Sequence, residues 1–227
     1  MEASPNQFPS EAAEWSVDDA SSLYMIDRWG GGYFDVNADG NLTVAPLQER
    51  GIAIPIIDVL REAQGLKLQA PLLVRFQDLL RHRVEGLNSA FNTAIAEQGY
   101  RGTYRGVFPI KVNQLREVVE EILDAGKPFN YGLEVGSKPE IFAGLAVHTD
   151  NDSLIVCNGY KDATFIRMAM IGRKIGKKVI LIAEKLSEVR AITRIAAEMG
   201  VEPWIGMRVR LLSKGAGKWA TSGGEHA

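Results

Sequence analysis

The sequence predicts an α/β protein: the first part of a (β/α)8 barrel, about five βα units, preceded by a β-hairpin and a long helix. Three observations predict it. Apolar runs too short for helices recur five times after Gly106, helical patterns fill the gaps between them, and an Asp-Gly turn stands between two strand-like runs near the start. The 227 residues, 46% of them hydrophobic and 24% charged, have the make-up of an ordinary globular protein. Twenty-six Lys and Arg against 28 Asp and Glu leave a net charge of −2 and no basic field for phosphates, so no nucleic-acid partner is expected. No run approaches the roughly 20 apolar residues of a membrane helix. The opening MEASPNQFPSEAAEW lacks the basic start and apolar core of a signal peptide, which leads to the expectation of a cytoplasmic protein without membrane partners. Cys157 is the sole cysteine, which excludes an intrachain disulfide, and with His82, His148 and His226 it forms no zinc spacing.

Taken in order, residues 1–22 are expected to be a disordered tail, because their Ser, Pro, Asn and Glu content at the start buries too little apolar surface. Residues 23–70 form a hairpin segment and linker. In it Tyr33-Phe34-Asp35-Val36 and Leu42-Thr43-Val44 flank Asp39-Gly40, where glycine supplies positive φ. Residues 71–227 begin with one long helix from Pro71 to Gly99, striped by Leu73, Phe76, Leu80, Val84, Leu87, Phe91 and Ile95. Five strands follow, at Gly106 to Asn113, Phe129 to Gly136, Ser153 to Asn158, Lys178 to Glu184 and Pro203 to Leu211. Between them, Leu115 to Leu123 make a helical face closed by Gly126, and Ser137 to Glu140 make a capping box. Asp162 and Ser187 are N-caps of the next two helices, with Gly176 and Gly200 as their stops. A barrel takes about 200–250 residues for eight units, so five units imply a piece of a longer enzyme; an open, doubly wound sheet is the other architecture that accommodates five strands.

The strand Val107 to Asn113 holds Lys111 in an otherwise apolar run. Period-two alternation turns Lys111 and Asn113 inward near the C-terminal end, where barrel enzymes carry their chemistry. Two readings follow. A desolvated amine has a lowered pKa and attacks a carbonyl, for which pyridoxal phosphate is one candidate, or the lysine reaches from the strand end to solvent. The same alternation turns Glu134 inward on the second strand, and Arg208 and Arg210 on the fifth. A lysine, a carboxylate and arginines at strand ends suit an anionic cofactor, or form a buried ion-pair network with no catalytic task. Asn158 to Asp162 leads from a strand end toward a helix start, so its backbone or Lys161 either reaches this site or only makes a turn. Two motifs fail. Asp35 to Gly40 opens like a calcium loop but has Pro46 where a glutamate is needed, and Gly215 to Ala220 resembles a dinucleotide fingerprint with no helix after it.

Four segments read together carry a resemblance: Phe108 to Gln114, Gly132 to Lys138, Val156 to Asp162, and Gly217-Lys218-Trp219 with Ser222 to Glu225. With Trp29 to Val44, they closely resemble the biosynthetic arginine decarboxylases over nearly the whole chain. The resemblance implies a pyridoxal-phosphate barrel of the alanine-racemase type, with a β-domain whose first strands come from the N-terminus. It implies conversion of L-arginine to agmatine and carbon dioxide through a Schiff base on Lys111, in polyamine biosynthesis. It places Glu134 and Arg208 beside the cofactor by matching position, and it implies magnesium, for which no ligand set stands out, and a homo-oligomeric enzyme. The later barrel strands and glycine-rich phosphate loop of that family are absent from this sequence, so the polypeptide alone is not expected to turn over. The other candidates are a related decarboxylase of ornithine, lysine or diaminopimelate, a non-catalytic barrel homologue, and a Schiff-base aldolase that uses no cofactor.

Overall fold

The computed structural model describes residues 15–48, 52–209 and 216–217, in two compact units divided after His82. The first unit opens with helix α1 (Val17–Leu23), where a tail was expected. Ser16 is the cause: its side chain accepts from the Asp19 N–H while the Asp19 carboxylate accepts from the Ser16 N–H, a reciprocal cap that a composition average does not register. Residues 1–14 of the expected tail lie outside the described residues. A short helix α2 (Ile26–Trp29) leads to the expected hairpin, β1 (Phe34–Val36) and β2 (Leu42–Val44), paired antiparallel with Gly40 at φ +77° in the turn. The sequence reading missed β3 (Ile54–Pro55), which pairs with β2, and helix α3 (Ile56–Gly65). Two residues are too few for a strand pattern to show. Val44 and Ile26 are buried here, and the Tyr33 hydroxyl lies 2.7 Å from His82 Nδ1.

Helix α4 (Gln77–Glu97) is the predicted long helix, but it starts six residues after Pro71; Leu73 lies ahead of it and is exposed. The apolar spacing continued through a segment that does not coil.

In the second unit the strands β4 (Val107–Pro109), β5 (Gly132–Val135), β6 (Leu154–Cys157), β7 (Lys178–Ala183) and β8 (Trp204–Met207) form one sheet. Its order is β4-β5-β6-β7-β8, parallel throughout. That order decides between the two architectures. A doubly wound sheet reverses its strand order at a switch point, whereas this sheet adds each strand beside the last, as a barrel wall does. The crossover helices α5 (Arg116–Gly126), α6 (Lys138–Val147), α7 (Ala163–Lys174) and α8 (Leu186–Met199) pack on one face. Leu133, Val135, Ile155, Cys157, Val179 and Leu181 point to that face and are fully buried in one core with Ile141, Ile166 and Ile192. Gly132 is required by the sheet itself, since a Cβ there would stand 2.0 Å from the Leu154 carbonyl oxygen.

Two of the predicted caps move, and the predicted box at Ser137 to Glu140 closes one residue early, with the Glu140 carboxylate accepting from the Gly136 N–H at 2.7 Å. Ser137 and Asp162 cap α6 and α7 by accepting from the Glu140 and Phe165 N–H groups. Gly200 ends α8 at φ +65°, and Gly176 follows α7 at φ +90°. Ser187 is not a cap: α8 begins at Leu186, and the Glu188 carboxylate receives the Glu184 N–H instead. Gly126 is the last residue of α5 in ordinary helical conformation, not a left-handed stop, and its glycine is explained by packing, because a Cβ would lie 2.5 Å from Tyr131 Cβ.

Candidate active site

The C-terminal ends of β4 to β8 form one rim. β4 stops at Pro109, not at Asn113 as expected, and Lys111 lies in a 3-10 turn, Ile110–Val112, directly beyond it. The cause is local. Proline brings no N–H to a ladder, and β4 is an edge strand paired only with β5. Lys111 is therefore exposed, which overturns the reading of a dry, desolvated amine in mid-strand. Among the described residues its Nζ has no hydrogen-bond or ion-pair partner. The register sets Pro109 opposite Glu134, so the turn bearing Lys111 follows the residue beside Glu134.

Glu134 is buried to 7% exposure on the face opposite Leu133 and Val135, where alternation put it. Its Oε1 accepts from Asn158 Nδ2 at 3.0 Å, just past the end of β6. The next residue, Gly159, donates its N–H to Glu184 Oε1 at 3.1 Å, past the end of β7. Arg208, past the end of β8, donates through Nη1 to both Glu184 oxygens at 3.2 Å. Four consecutive strand ends are thus linked: Glu134, Asn158 and Gly159, Glu184, and Arg208. Gly159 takes φ +74° and packs so closely that a Cβ would stand 3.1 Å from the Gly136 carbonyl oxygen. The Arg208 side chain is 62% exposed while that of Glu184 is 9% exposed, so the guanidinium extends from a fixed carboxylate toward open space.

Beside this rim, a cavity of about 500 Å³ is lined by Ser137, Lys138, Tyr160, Lys161, Asp162 and Phe165. Lys138 pairs with Asp162 at 2.5 Å, and that ammonium, with the Phe165 N–H, holds the Asp162 carboxyl below its usual range. Lys161 is the buried lysine of the rim. Its side chain is fully buried, and burial lowers its pKa while Glu188 and Glu184 oppose the shift.

The structure brings Glu134 and Arg208 into one network, leaves Lys111 outside it on the neighbouring turn, and leaves Arg210 outside the described residues. Most of the Gly215 to Ala220 loop also lies outside them. Glu184 was missed, although alternation in β7 carries Ile180, Ile182 and Glu184 along one face and would have found it. Glu188 gave no signal, because its partners come from two other loops. Cys157 points into the core, where burial raises its thiol to about 12, so it is inert. Among the described residues no group of three His, Cys, Asp or Glu is placed to hold a metal ion, and no helix is long and apolar enough to cross a membrane.

The family described as pyridoxal-dependent decarboxylase, pyridoxal binding domain, matches residues 84–227. The chain belongs to the pyridoxal-dependent decarboxylases. Within that family it is similar to the biosynthetic arginine decarboxylase of Bacteroides thetaiotaomicron, 45% identical over 212 residues, covering 93% of this chain and 34% of that protein. The biosynthetic arginine decarboxylase of Parasynechococcus marenigrum is 41% identical over 218 residues, covering 96% of this chain and 34% of that protein. The chain thus spans about a third of the length of the curated relatives it matches. The crystal structure of the biosynthetic arginine decarboxylase from Campylobacter jejuni superposes with a TM-score of 0.72 at 32% identity, over 82% of this chain and 30% of that one. A diaminopimelate decarboxylase from M. jannaschi shares the fold, with a TM-score of 0.59 at 18% identity, over 80% of this chain and 37% of that one. A decarboxylase barrel wall is therefore what the sequential parallel sheet represents.

Proposed function

We propose that this chain supplies the lysine-bearing part of a biosynthetic arginine decarboxylase, which converts L-arginine to agmatine and carbon dioxide in polyamine synthesis. The observation that carries the reading is Lys111: an exposed amine without a partner among the described residues, on the turn at the C-terminal end of the first barrel strand. The residues present fit pyridoxal 5'-phosphate. Lys111 Nζ is open to a carbonyl, Glu134 offers a carboxylate oxygen beyond the one that Asn158 engages, and Arg208 offers a guanidinium with only Nη1 engaged among the described residues. When bound, the cofactor supplies an electron sink for the pair left behind as carbon dioxide departs.

The chain's own groups have separable tasks. Lys111 Nζ holds the cofactor and is the atom that moves a proton to the carbon losing its carboxylate. Glu134, fixed by Asn158, would accept a hydrogen bond from the bound group. Arg208 holds negative charge, its orientation set by Glu184. Below the rim the half-buried Val156, Ile180 and Ile182 give the same face of the sheet an apolar surface. No task is given to magnesium. A homo-oligomeric enzyme in the cytoplasm is the setting that the family resemblance suggests. The test is release of carbon dioxide from arginine, ornithine, lysine and diaminopimelate supplied in parallel, with pyridoxal 5'-phosphate, to the full-length protein that contains this chain. Arginine is expected to react with the highest kcat/KM; preference for another of the four overturns the substrate, and none reacting overturns the activity.

A further inference from the structure

The rim network rests on a second layer that the proposed reaction does not touch. Lys161 donates Nζ–H to the Gly159 carbonyl at 2.5 Å and also to the Ile182 carbonyl, and its ammonium lies 3.7 Å from Glu188 Oε2. Its own backbone N–H donates to Glu188 Oε1 at 2.9 Å, while Glu188 Oε2 receives the Glu184 N–H at 2.8 Å. The β6–α7 loop and the β7–α8 loop are therefore tied at one carboxylate. From the first of these loops come the Gly159 N–H that fixes Glu184, and the Asn158 amide that fixes Glu134.

A buried ion pair is an expensive way to join two loops, because apolar side chains of similar volume hold them as well or better. Its value lies in charge. Lys161 and Arg208 balance Glu184 and Glu188 within one cluster, and Lys161 does so from a side chain with no exposed surface. Loss of the ammonium leaves an uncompensated carboxylate beside the site and frees the Gly159 turn.

We infer that Lys161, with Glu188, is a positioning residue that sets the rim carboxylates and Arg208 for an anionic cofactor; this rests on the reading that the rim holds pyridoxal 5'-phosphate. Lys161 touches neither substrate nor cofactor. Its test is equilibrium dialysis of the purified protein against pyridoxal 5'-phosphate, with the absorbance maximum of the bound cofactor recorded, for the parent, Lys161→Met and Lys161→Met/Glu188→Gln. Circular dichroism and melting report the fold. The single variant strands a buried carboxylate and melts earlier, and the double variant regains much of that loss. Both bind the cofactor about tenfold more weakly than the parent, the scale of one lost charge-assisted contact, with a shifted absorbance maximum. Folded variants with a parent-like Kd and spectrum overturn the inference alone. Unfolding of both variants shows a purely structural role and overturns it as well, whereas a parent that does not bind the cofactor overturns it together with the reading on which it rests.

Discussion

The two ends of the five-stranded sheet each bury a lysine, and they use it differently. At the C-terminal end Lys161 ties two loops whose Asn158, Gly159 and Glu184 hold Glu134 and the exposed Arg208 in one network. At the N-terminal end Lys177, just before β7, donates to the His148 carbonyl at 2.6 Å, and His148 Nε2 lies 2.8 Å from the Ser153 hydroxyl, just before β6. Ser153 and His148 are 0% and 2% exposed, so nothing there leads outward. One fold thus separates tasks by end: the bottom holds strands together and the top presents groups, as barrel architecture permits. The difference teaches that burial of a charge does not mark a site; what marks it is whether the buried group holds others that are exposed.

Four experiments break or sharpen that contrast. The largest effect belongs to Lys111→Ala in the full-length protein that contains this chain, which is expected to lower arginine decarboxylation by on the order of a thousandfold or more, with the melting temperature hardly moved because the side chain is exposed. Steady-state kinetics and calorimetry on one preparation read both; a large fall in stability would erase the division between ends.

His148 gives the next effect. Burial lowers its pKa from 6.5 to about 4, with the Lys177 charge adding to the shift. The folded protein therefore takes up a proton at His148 less readily than the unfolded chain, so this contribution to stability is complete above pH 6.5 and is lost as pH falls toward 4. The loss amounts to about 3 kcal/mol, and urea unfolding at a series of pH values is expected to lose that slope in His148→Leu. A slope unchanged by the substitution would remove His148 from the account.

Lys177→Met ranks third. It strands the His148 carbonyl and is expected to cost about 2 kcal/mol in urea unfolding while pyridoxal 5'-phosphate binds with unchanged Kd. A weakened Kd would show that the bottom of the sheet reaches the rim. The smallest effect is at Arg194, paired with Glu198 at 2.5 Å on the surface of α8 with side chains 61% and 40% exposed. Arg194→Ala is expected to change stability by less than about 0.5 kcal/mol and binding not at all.

Much of the fold was legible in the sequence because each strand is a compact apolar run between turn residues, and periodicity reports what a strand buries. Strand ends were less legible. Pro109 stands inside the run that continues to Asn113, and only pairing with a neighbour decides where the ladder stops. That shift of the strand end moved Lys111 from an expected dry interior to an exposed turn. Glu134 was legible by alternation, and Glu184 was equally so from β7. Asn158 belonged to a segment read as either reaching the site or making a turn, and its bond to Glu134, which spans 24 residues of sequence, was not visible. Lys161 was legible as a side chain able to reach the site, but its pairing with Glu188 was not: a buried charge is explained by its partners, and 27 residues separate these two.

The central claim is that Lys111 Nζ holds the cofactor. Borohydride reduction of the protein mixed with pyridoxal 5'-phosphate, followed by peptide mass analysis, tests it most directly. A pyridoxyl mass on the peptide containing Lys111, and its disappearance in Lys111→Ala, is the expected result. A pyridoxyl mass at Lys138 or another lysine with Lys111 unmodified would contradict it.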